Sequence, residues 1–384
     1  GVHIAAPALG MPRDSAGDKV AGSRLSTVYM PGQKITMLPD SVVQAFTLTA
    51  DRICPALSMY IEVEQDTLTI LSYDSRVERV HIADNLRHDT LEPLFNEETL
   101  AAGKLDYPYA NELTLLWHLV QKMEAGRGKS ENNTQLDFNF HIVDDRVTIT
   151  TRRRGSPIDK VVSELMILVN CEWGKHLAEH GFPGIYRTQQ GGKVRMSTVA
   201  APHQGLGVAQ YMWSSSPLRR YVDMVNQRQI IAMLHGDDAP YPKNDPALYA
   251  TLRDFDTMYT IYNEFQRNME RYWCLRWLQQ EMTDAPLQIT ATVIRENLVR
   301  MSEIPLVFRV PSLPEQLASG TRVQLEVVSI NLLDLSLLTR YVAILESATE
   351  VVLPEDIASA EAFLMAEEPA QTPAPPAVAE EPAC

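Results

Sequence analysis

Apolar and polar residues alternate along Ala56–Glu64, where Leu57, Met59, Ile61 and Val63 share one side, and this period of two predicts a strand. Val2–Ala5 reads as a shorter strand, and Leu68–Tyr73 as a hairpin partner of the longer one. Phe138–Val143 and Arg146–Thr151 form a second predicted hairpin through the turn-forming pair Asp144–Asp145. Helical spacing appears in Asn111–Ala125, which carries Leu115, Leu116, Leu119, Val120 and Met123. Ile158–His180 is a long amphipathic stretch ended by Gly181 and Pro183, and Leu218–Leu234 and Asp254–Gln280 add two more helices. Mixed strands and helices predict an α+β core. From about Leu287 the pattern changes to short strands (Ile289–Ile294, Pro305–Val310, Val323–Ile330, Ser336–Leu338) punctuated by Gly320, Pro311 and Pro314. That pattern predicts a small five-stranded barrel.

Composition narrows the class of protein. Of 384 residues, 45% are apolar, as in a packed globular chain, but no apolar run approaches membrane-spanning length and no N-terminal signal pattern is present. Cys54, Cys171, Cys274 and Cys384 lie far apart with no Cys-x-x-Cys. That argues against a zinc site or disulfide framework and predicts a reducing, cytoplasmic setting. The net charge is −15, yet residues 346–384 hold nine acids and no Lys or Arg, leaving −6 for the remainder. This tail is rich in Ala, Pro and Glu and is expected to be disordered, at least beyond Glu367. Gly1 has no preceding methionine and opens in mid-strand, so a fragment or processed piece is expected.

One stretch is basic inside this acidic chain: Tyr186–Gln229 has six Lys or Arg and one acid. Within it, Tyr211–Arg228 reads YMWSSSPLRRYVDMVNQR. Ser216 is placed to cap a helix and Pro217 to occupy its first position. Arg219 and Arg220 then fall in the first turn, where free N–H groups attract anions. Tyr211, Trp213 and Tyr221 add flat faces, so phosphates and bases are the natural partner. A plainer reading is a surface helix with Arg219 or Arg220 paired to Asp223 one turn on.

This run resembles the most recognisable motif of the ribonuclease II family (the RNB domain): Tyr, then Ser/Thr-Ser-Pro-aliphatic-Arg-Arg/Lys-Tyr-x-Asp, then Asn-x-Arg. Four further stretches are similar to that family in order and spacing: GVHIA at Gly1–Ala5, VYMPGQKITMLPDSV at Val28–Val42, VVSELMILVN at Val161–Asn170 and HQGLG at His203–Gly207. The resemblance runs from Gly1 to about Glu281. It implies an RNB catalytic domain of mixed sheets and long helices over residues 1–284, an OB-type RNA-binding barrel over 285–345, and the acidic tail over 346–384. It also implies processive 3′-to-5′ hydrolysis of single-stranded RNA to nucleoside 5′-monophosphates, with clustered aspartates holding magnesium. No membrane or DNA partner is expected, and the chain is expected to be a monomer.

By the same resemblance Arg219 is the arginine at the scissile phosphate, where a lysine would not reproduce the planar fork. Arg220 is then a structural or strand-positioning charge. Tyr29 corresponds to an aromatic that stacks on RNA, or else anchors a turn. Phe138 corresponds to a clamp on the 3′-terminal bases, with Phe140 as the alternative. Glu164 corresponds to a channel-lining glutamate, or else is a polar position on a core-facing helix. Glu270 corresponds to an acid near the active site, and Tyr211 and Arg228 complete the RNA-binding candidates.

Three positions depart from the family. Ala6 stands for an aspartate, His88 for a catalytic-site tyrosine, and Gln227 for a histidine. His88 would bring a group titrating near neutral pH, or is a surface residue beside Asp89. The family's metal-binding aspartates precede the strand represented by Gly1–Ala5, so magnesium ligands are expected upstream. Neither Asp144–Asp145 nor Asp237–Asp238 reproduces their spacing, and both read as turn residues. The departures leave a second reading, an RNB-type RNA-binding or regulatory protein impaired in catalysis. A third is a scaffold whose acidic tail recruits a basic partner.

Overall fold

A computed structural model describes residues 1–128 and 136–347. In chain order its elements are β1 (Val2–Ala5), α1 (Ala16–Arg24), β2 (Val28–Met30), β3 (Gln33–Ile35), α2 (Asp40–Phe46), β4 (Arg52–Val63), β5 (Ile70–Ile82), α3 (His88–Leu91), α4 (Glu97–Ala101) and α5 (Ala110–Arg127). There follow β6 (Leu136–Val143), β7 (Arg146–Arg153), α6 (Pro157–Glu179), β8 (Tyr186–Gln190), β9 (Lys193–Ser197), α7 (Tyr221–His235) and α8 (Pro246–Glu281). The last strands are β10 (Gln288–Arg295), β11 (Leu298–Met301), β12 (Val307–Arg309), β13 (Arg322–Asn331) and β14 (Ser336–Glu346). The α+β mixture read from the pattern is what forms. The chain divides into two compact units, Gly1–Asn139 with Thr150–Gln266, and Phe140–Ile149 with the described residues from Arg267 on.

In the first unit, β1, β4 and β5 make an antiparallel sheet in that order, with Val2 opposite Met59 and Ala5 opposite Ala56. Alternation sends Leu57 and Met59 inward, where they meet Val169, Trp173 and Leu177 of α6 and Ile230 of α7. A second cluster packs Trp117 and Val120 of α5 against Ile158 and Val161 of α6. In a third, Val222, Met224 and Val225 of α7 meet Met37, Leu38, Trp213 and Phe255. Helix α7 is therefore buried on every side from Tyr221 to Ile230, not the surface helix of the plainer reading. It also starts later than predicted. Residues Ser216–Arg219 form a turn, with the Arg219 and Arg220 amides both donating to the Ser216 carbonyl, and the helix proper begins at Tyr221.

Two hairpins follow local chemistry. β2 and β3 are joined by Pro31–Gly32, with Gly32 at φ +77°, the Pro-then-Gly order that a type II turn requires. β6 and β7 turn through Asp144 (φ 49°) and Asp145 (φ 61°), both left-handed, as a type I′ turn needs.

The second unit holds a five-stranded antiparallel sheet in the order β12-β11-β10-β13-β14. Its inner face, with Ala291, Val293, Val299, Phe308, Val323 and Leu325, packs on Cys274, Leu275 and Leu278 of α8. Five strands are present, β11 being one that the four predicted segments omit, but the sheet does not close into the expected OB-type barrel: among the described residues β12 and β14 are not paired. Arg271 of α8 occupies part of that opening. Its Nη1 donates to the Val307 carbonyl on β12 (2.8 Å) and its Nε to the Leu335 carbonyl at the β13–β14 turn (2.6 Å). Apart from Glu346 and Ser347, the predicted disordered tail lies outside the described residues.

Candidate functional site

The residues Asn226, Gln227, Arg228 and Gln229 on α7 are all buried, and each grips a different piece of backbone. Asn226 accepts from the Ile185 amide (2.7 Å) and donates to the Ile185 and Trp213 carbonyls (2.9 and 2.8 Å). Gln229 does the same for Tyr241 and Pro183. Arg228, expected at RNA, is instead spent inside the unit: it donates to Asp18 (2.7 Å), the Tyr241 hydroxyl (2.7 Å) and the Met11 carbonyl (2.7 Å). Buried polar groups satisfied this fully specify one packing, because any slip would strand several of them unpaired.

The loop before α7 is pinned from two further sides. Asn170 of α6 accepts from the Ser214 amide (2.9 Å) and hydroxyl (2.7 Å), and donates to the Ser215 and Tyr211 hydroxyls. From the other side, Leu25 sits at φ 61° and ψ −37°, the centre of a tight turn in which the Ser26 amide donates to the Arg24 carbonyl (2.7 Å). That turn aims the Leu25 carbonyl at the Tyr221 amide (2.8 Å) and the Thr27 amide at the Arg219 carbonyl (2.9 Å). A non-glycine residue in this region is strained, and its neighbours over-determine it.

So held, Arg219 and Arg220 diverge. Arg220 forms two 2.7 Å bonds to the fully buried Asp223, lies 4.1 Å over the Trp213 ring, and is mostly buried. Arg187 lies over the same ring at 4.6 Å, its guanidinium pushed down in pKa by burial and by the neighbouring Arg220 charge. Arg219 is exposed and has no carboxylate partner among the described residues. It lines a cavity of about 200 Å³ together with Tyr29, Lys34, Thr36, Ser215 and Ser216. Tyr29 is exposed, and its amide is fixed by the Gln266 side chain (2.7 Å). Sequence reasoning missed Lys34, although the Pro31–Gly32 turn already sets it opposite Tyr29.

A second cavity, of about 300 Å³, is lined by His88, Glu164, Arg152, Asp159, Asp137 and Lys160, among others. It brings together His88 and Glu164, but its charges are internally matched. Arg152 bonds Asp159 (2.8 Å) and Asp137 (3.1 Å), Lys160 bonds Glu124 (3.3 Å), and Glu164 is held in a two-point ion pair by Arg127. His88 lies 3.6 Å from Asp159 and 3.9 Å from Glu92. Burial pushes the Asp159 carboxyl up, but the Arg152 bond and charge, with His88, outweigh it and hold the group below its ordinary range.

Phe138 is half-buried on β6 next to Asp137, whereas its alternative Phe140 packs against the core of the second unit. Tyr211 is held by Asn170 and meets the His203 ring edge-on at 5.7 Å. Glu270 belongs to the second unit, where burial pushes its carboxyl up.

Two of the sequence departures prove to be neighbours. Gln227 donates to the Ala5 carbonyl (2.8 Å) and accepts from the Ala8 amide (3.2 Å), bracketing the fully buried Ala6. Among the described residues no group of three or more His, Cys, Asp or Glu is arranged to hold a metal ion.

This arrangement, a turn at the start of a buried polar helix presenting one unpaired arginine beside an exposed tyrosine on an α+β scaffold, has a family. The RNB domain model matches residues 1–195 and 191–236, and the chain belongs to that family. Among curated proteins it is similar to an uncharacterised ribonuclease of Synechocystis (23% identical; 79% of this chain, 49% of the relative). It is also similar to ribonuclease II, chloroplastic/mitochondrial, of Arabidopsis thaliana (21%; 80% and 41%) and to exoribonuclease 2 of Pasteurella multocida (24%; 64% and 47%). The chain thus spans about half the length of the curated relatives it matches. Among solved structures, an active-site mutant of the Candida glabrata exoribonuclease Dss1 superposes with a TM-score of 0.75 at 21% identity, covering 89% of this chain and 50% of that one. RNase R of Mycoplasma genitalium in complex with ribose-methylated single-stranded RNA gives 0.73 at 14% (88% and 66%), and the yeast pseudonuclease Ssd1 gives 0.65 at 17% (86% and 48%). No helix among the described residues is long and apolar enough to cross a membrane.

Proposed function

We propose that this chain is part of a 3′-to-5′ hydrolytic exoribonuclease that degrades single-stranded RNA processively to nucleoside 5′-monophosphates. The observation that carries the reading is the unpaired Arg219 beside the exposed Tyr29 in one cavity. A guanidinium left free by an adjacent Arg–Asp pair is available to a phosphate, and a flat exposed ring is available to a base. Arg219 is assigned to the phosphate undergoing cleavage, where a preorganised fork stabilises developing charge. His88 and Glu164 are assigned to the ribose and base of the terminal nucleotide, with Phe138 stacking beside them. The names of the relatives support an exoribonuclease. A divalent cation, magnesium by resemblance, would stabilise charge on the phosphate and activate water when bound. Its ligands are placed outside the described residues. The dispersed cysteines support a cytoplasmic setting, although the Arabidopsis relative is chloroplastic or mitochondrial by name.

A second reading is favoured by two observations: Ala6 is a fully buried methyl where the resemblance implies a carboxylate, and one structural neighbour is a pseudonuclease. In that reading the protein holds RNA without cutting it. The test uses the full-length protein with 5′-labelled single-stranded RNA and magnesium. A ladder shrinking from the 3′ end, abolished by chelator and slowed roughly 10²–10³-fold by Arg219→Ala with little loss of binding, is the expected result. Tight binding with no cleavage by the wild type would establish the second reading instead.

A further inference from the structure

The cavity beneath Arg219 differs in kind from every expectation drawn from the motif, because it holds a second cation. In a chain of net charge −15, no Asp or Glu lies among its lining residues, whereas the larger cavity has four acids, Glu124, Asp137, Asp159 and Glu164. Its two charged side chains, Arg219 and Lys34, come from two separate segments of the first unit. Arg219 comes from the turn before α7, and Lys34 from β3. Neither forms an ion pair among the described residues.

The position of Lys34 follows from local geometry. The two-residue turn Pro31–Gly32 sets the register of β2 against β3, so that Tyr29 and Lys34 are directly opposite. Residues directly opposite across an antiparallel pair project from the same face, with Cβ atoms about 5 Å apart. An aromatic ring and an ammonium are therefore presented side by side, and both line the cavity that Arg219 also lines. Thr36, Ser215 and Ser216 add hydroxyls to the lining. Two like charges brought to one acid-free cavity repel until anions separate them. Consecutive phosphates of a single strand carry one negative charge each, and the two cations of this cavity match such a pair.

We infer that Lys34 is a phosphate-binding residue of this pocket. It holds the RNA phosphate next to the one at Arg219, while Tyr29 stacks on the base carried between them. The inference rests on the proposed function and deepens it: the substrate contacted here is a dinucleotide step of single-stranded RNA, not one isolated phosphate. Lys34 acts by binding, as a compact and adaptable point charge, and takes no part in bond cleavage.

The test is a titration of fluorescein-labelled oligouridylate with the full-length protein in chelator, over a range of salt concentrations. Lys34→Ala is expected to weaken binding about fivefold to tenfold, the worth of one charge-assisted contact. It is also expected to flatten the slope of log affinity against log salt by about 0.7, the contribution of one single-strand phosphate contact. Lys34→Arg is expected to restore both, and Lys34→Glu to weaken binding further. In turnover assays with magnesium the loss appears in KM and not in kcat, unlike Arg219→Ala. Because Lys34 is exposed, its variants keep the wild-type melting temperature, and a melt run alongside separates lost binding from lost folding. Wild type and Lys34→Ala that bind RNA with equal affinity and equal salt slope overturn this inference alone. A wild type that holds no RNA overturns both it and the proposed function.

Discussion

Arg220 and Asp223 are joined by two hydrogen bonds of 2.7 Å, and the same Asp223 carboxylate accepts from the Ser216 amide at 2.7 Å. One carboxylate thus closes the turn that carries both arginines and neutralises only one of them. Arg219 is left charged and open because its neighbour has taken the only nearby acid in the motif.

Removing that acid should be costly. Asp223→Ala strands the mostly buried Arg220 guanidinium, and breaking a buried pair from one side destabilises by about 3–5 kcal/mol. The measurement is a urea unfolding curve. A midpoint equal to that of the wild type would show the turn to be held by Asn170 and Leu25 alone.

Arg152 makes a pH-dependent contribution through Asp159. The folded pKa of Asp159 lies below its unfolded value, so its stabilisation is present above the ordinary carboxylate range and is lost as pH falls through the folded value. Arg152→Met is expected to be less stable than wild type by about 1–2 kcal/mol at neutral pH, given partial exposure. The gap is expected to narrow as pH falls from about 5 to 3. A gap that stays constant across that window would mean Arg152 acts through packing only.

Cys171 on α6 is expected to resist alkylation. Burial, with the neighbouring Glu172 charge, pushes its thiol up to about 12, so at pH 8 only about one molecule in ten thousand carries the thiolate. Iodoacetamide followed by mass spectrometry should label Cys171 in denaturant and spare it in the native protein. Equal labelling in both would contradict its environment in α6.

Gly32 occupies a left-handed position, and Gly32→Val places a β-branched residue at φ +77°, at a cost of about 1–2 kcal/mol. The displaced hairpin no longer aligns Tyr29 with Lys34, so RNA affinity is expected to fall further than in Lys34→Ala. Comparing the two titrations, with the double variant, tests whether the turn and the lysine act together; independent losses would separate them.

Much of this molecule was legible along the chain, where the determining forces are local. Alternation at Leu57, Met59, Ile61 and Val63 gives β4 because a half-buried strand has period two. The pair Asp144–Asp145 turns its hairpin because aspartate tolerates left-handed φ by itself. The motif around Arg219 was recognisable as a string of residues. What it does with its charges was not, because Arg220 and Arg228 look alike in sequence and differ only in what surrounds them. Arg228 meets Asp18, 210 positions away, and Arg220 meets Asp223 and Trp213. Arg271 meets the Val307 and Leu335 carbonyls across the five-stranded sheet, and Lys34 and Arg219 come to one cavity from segments separated by most of the first unit. Hydrophobic period and turn chemistry act over a few residues and can be read in order; the partner of a charge is chosen by three-dimensional packing, which only the folded chain decides.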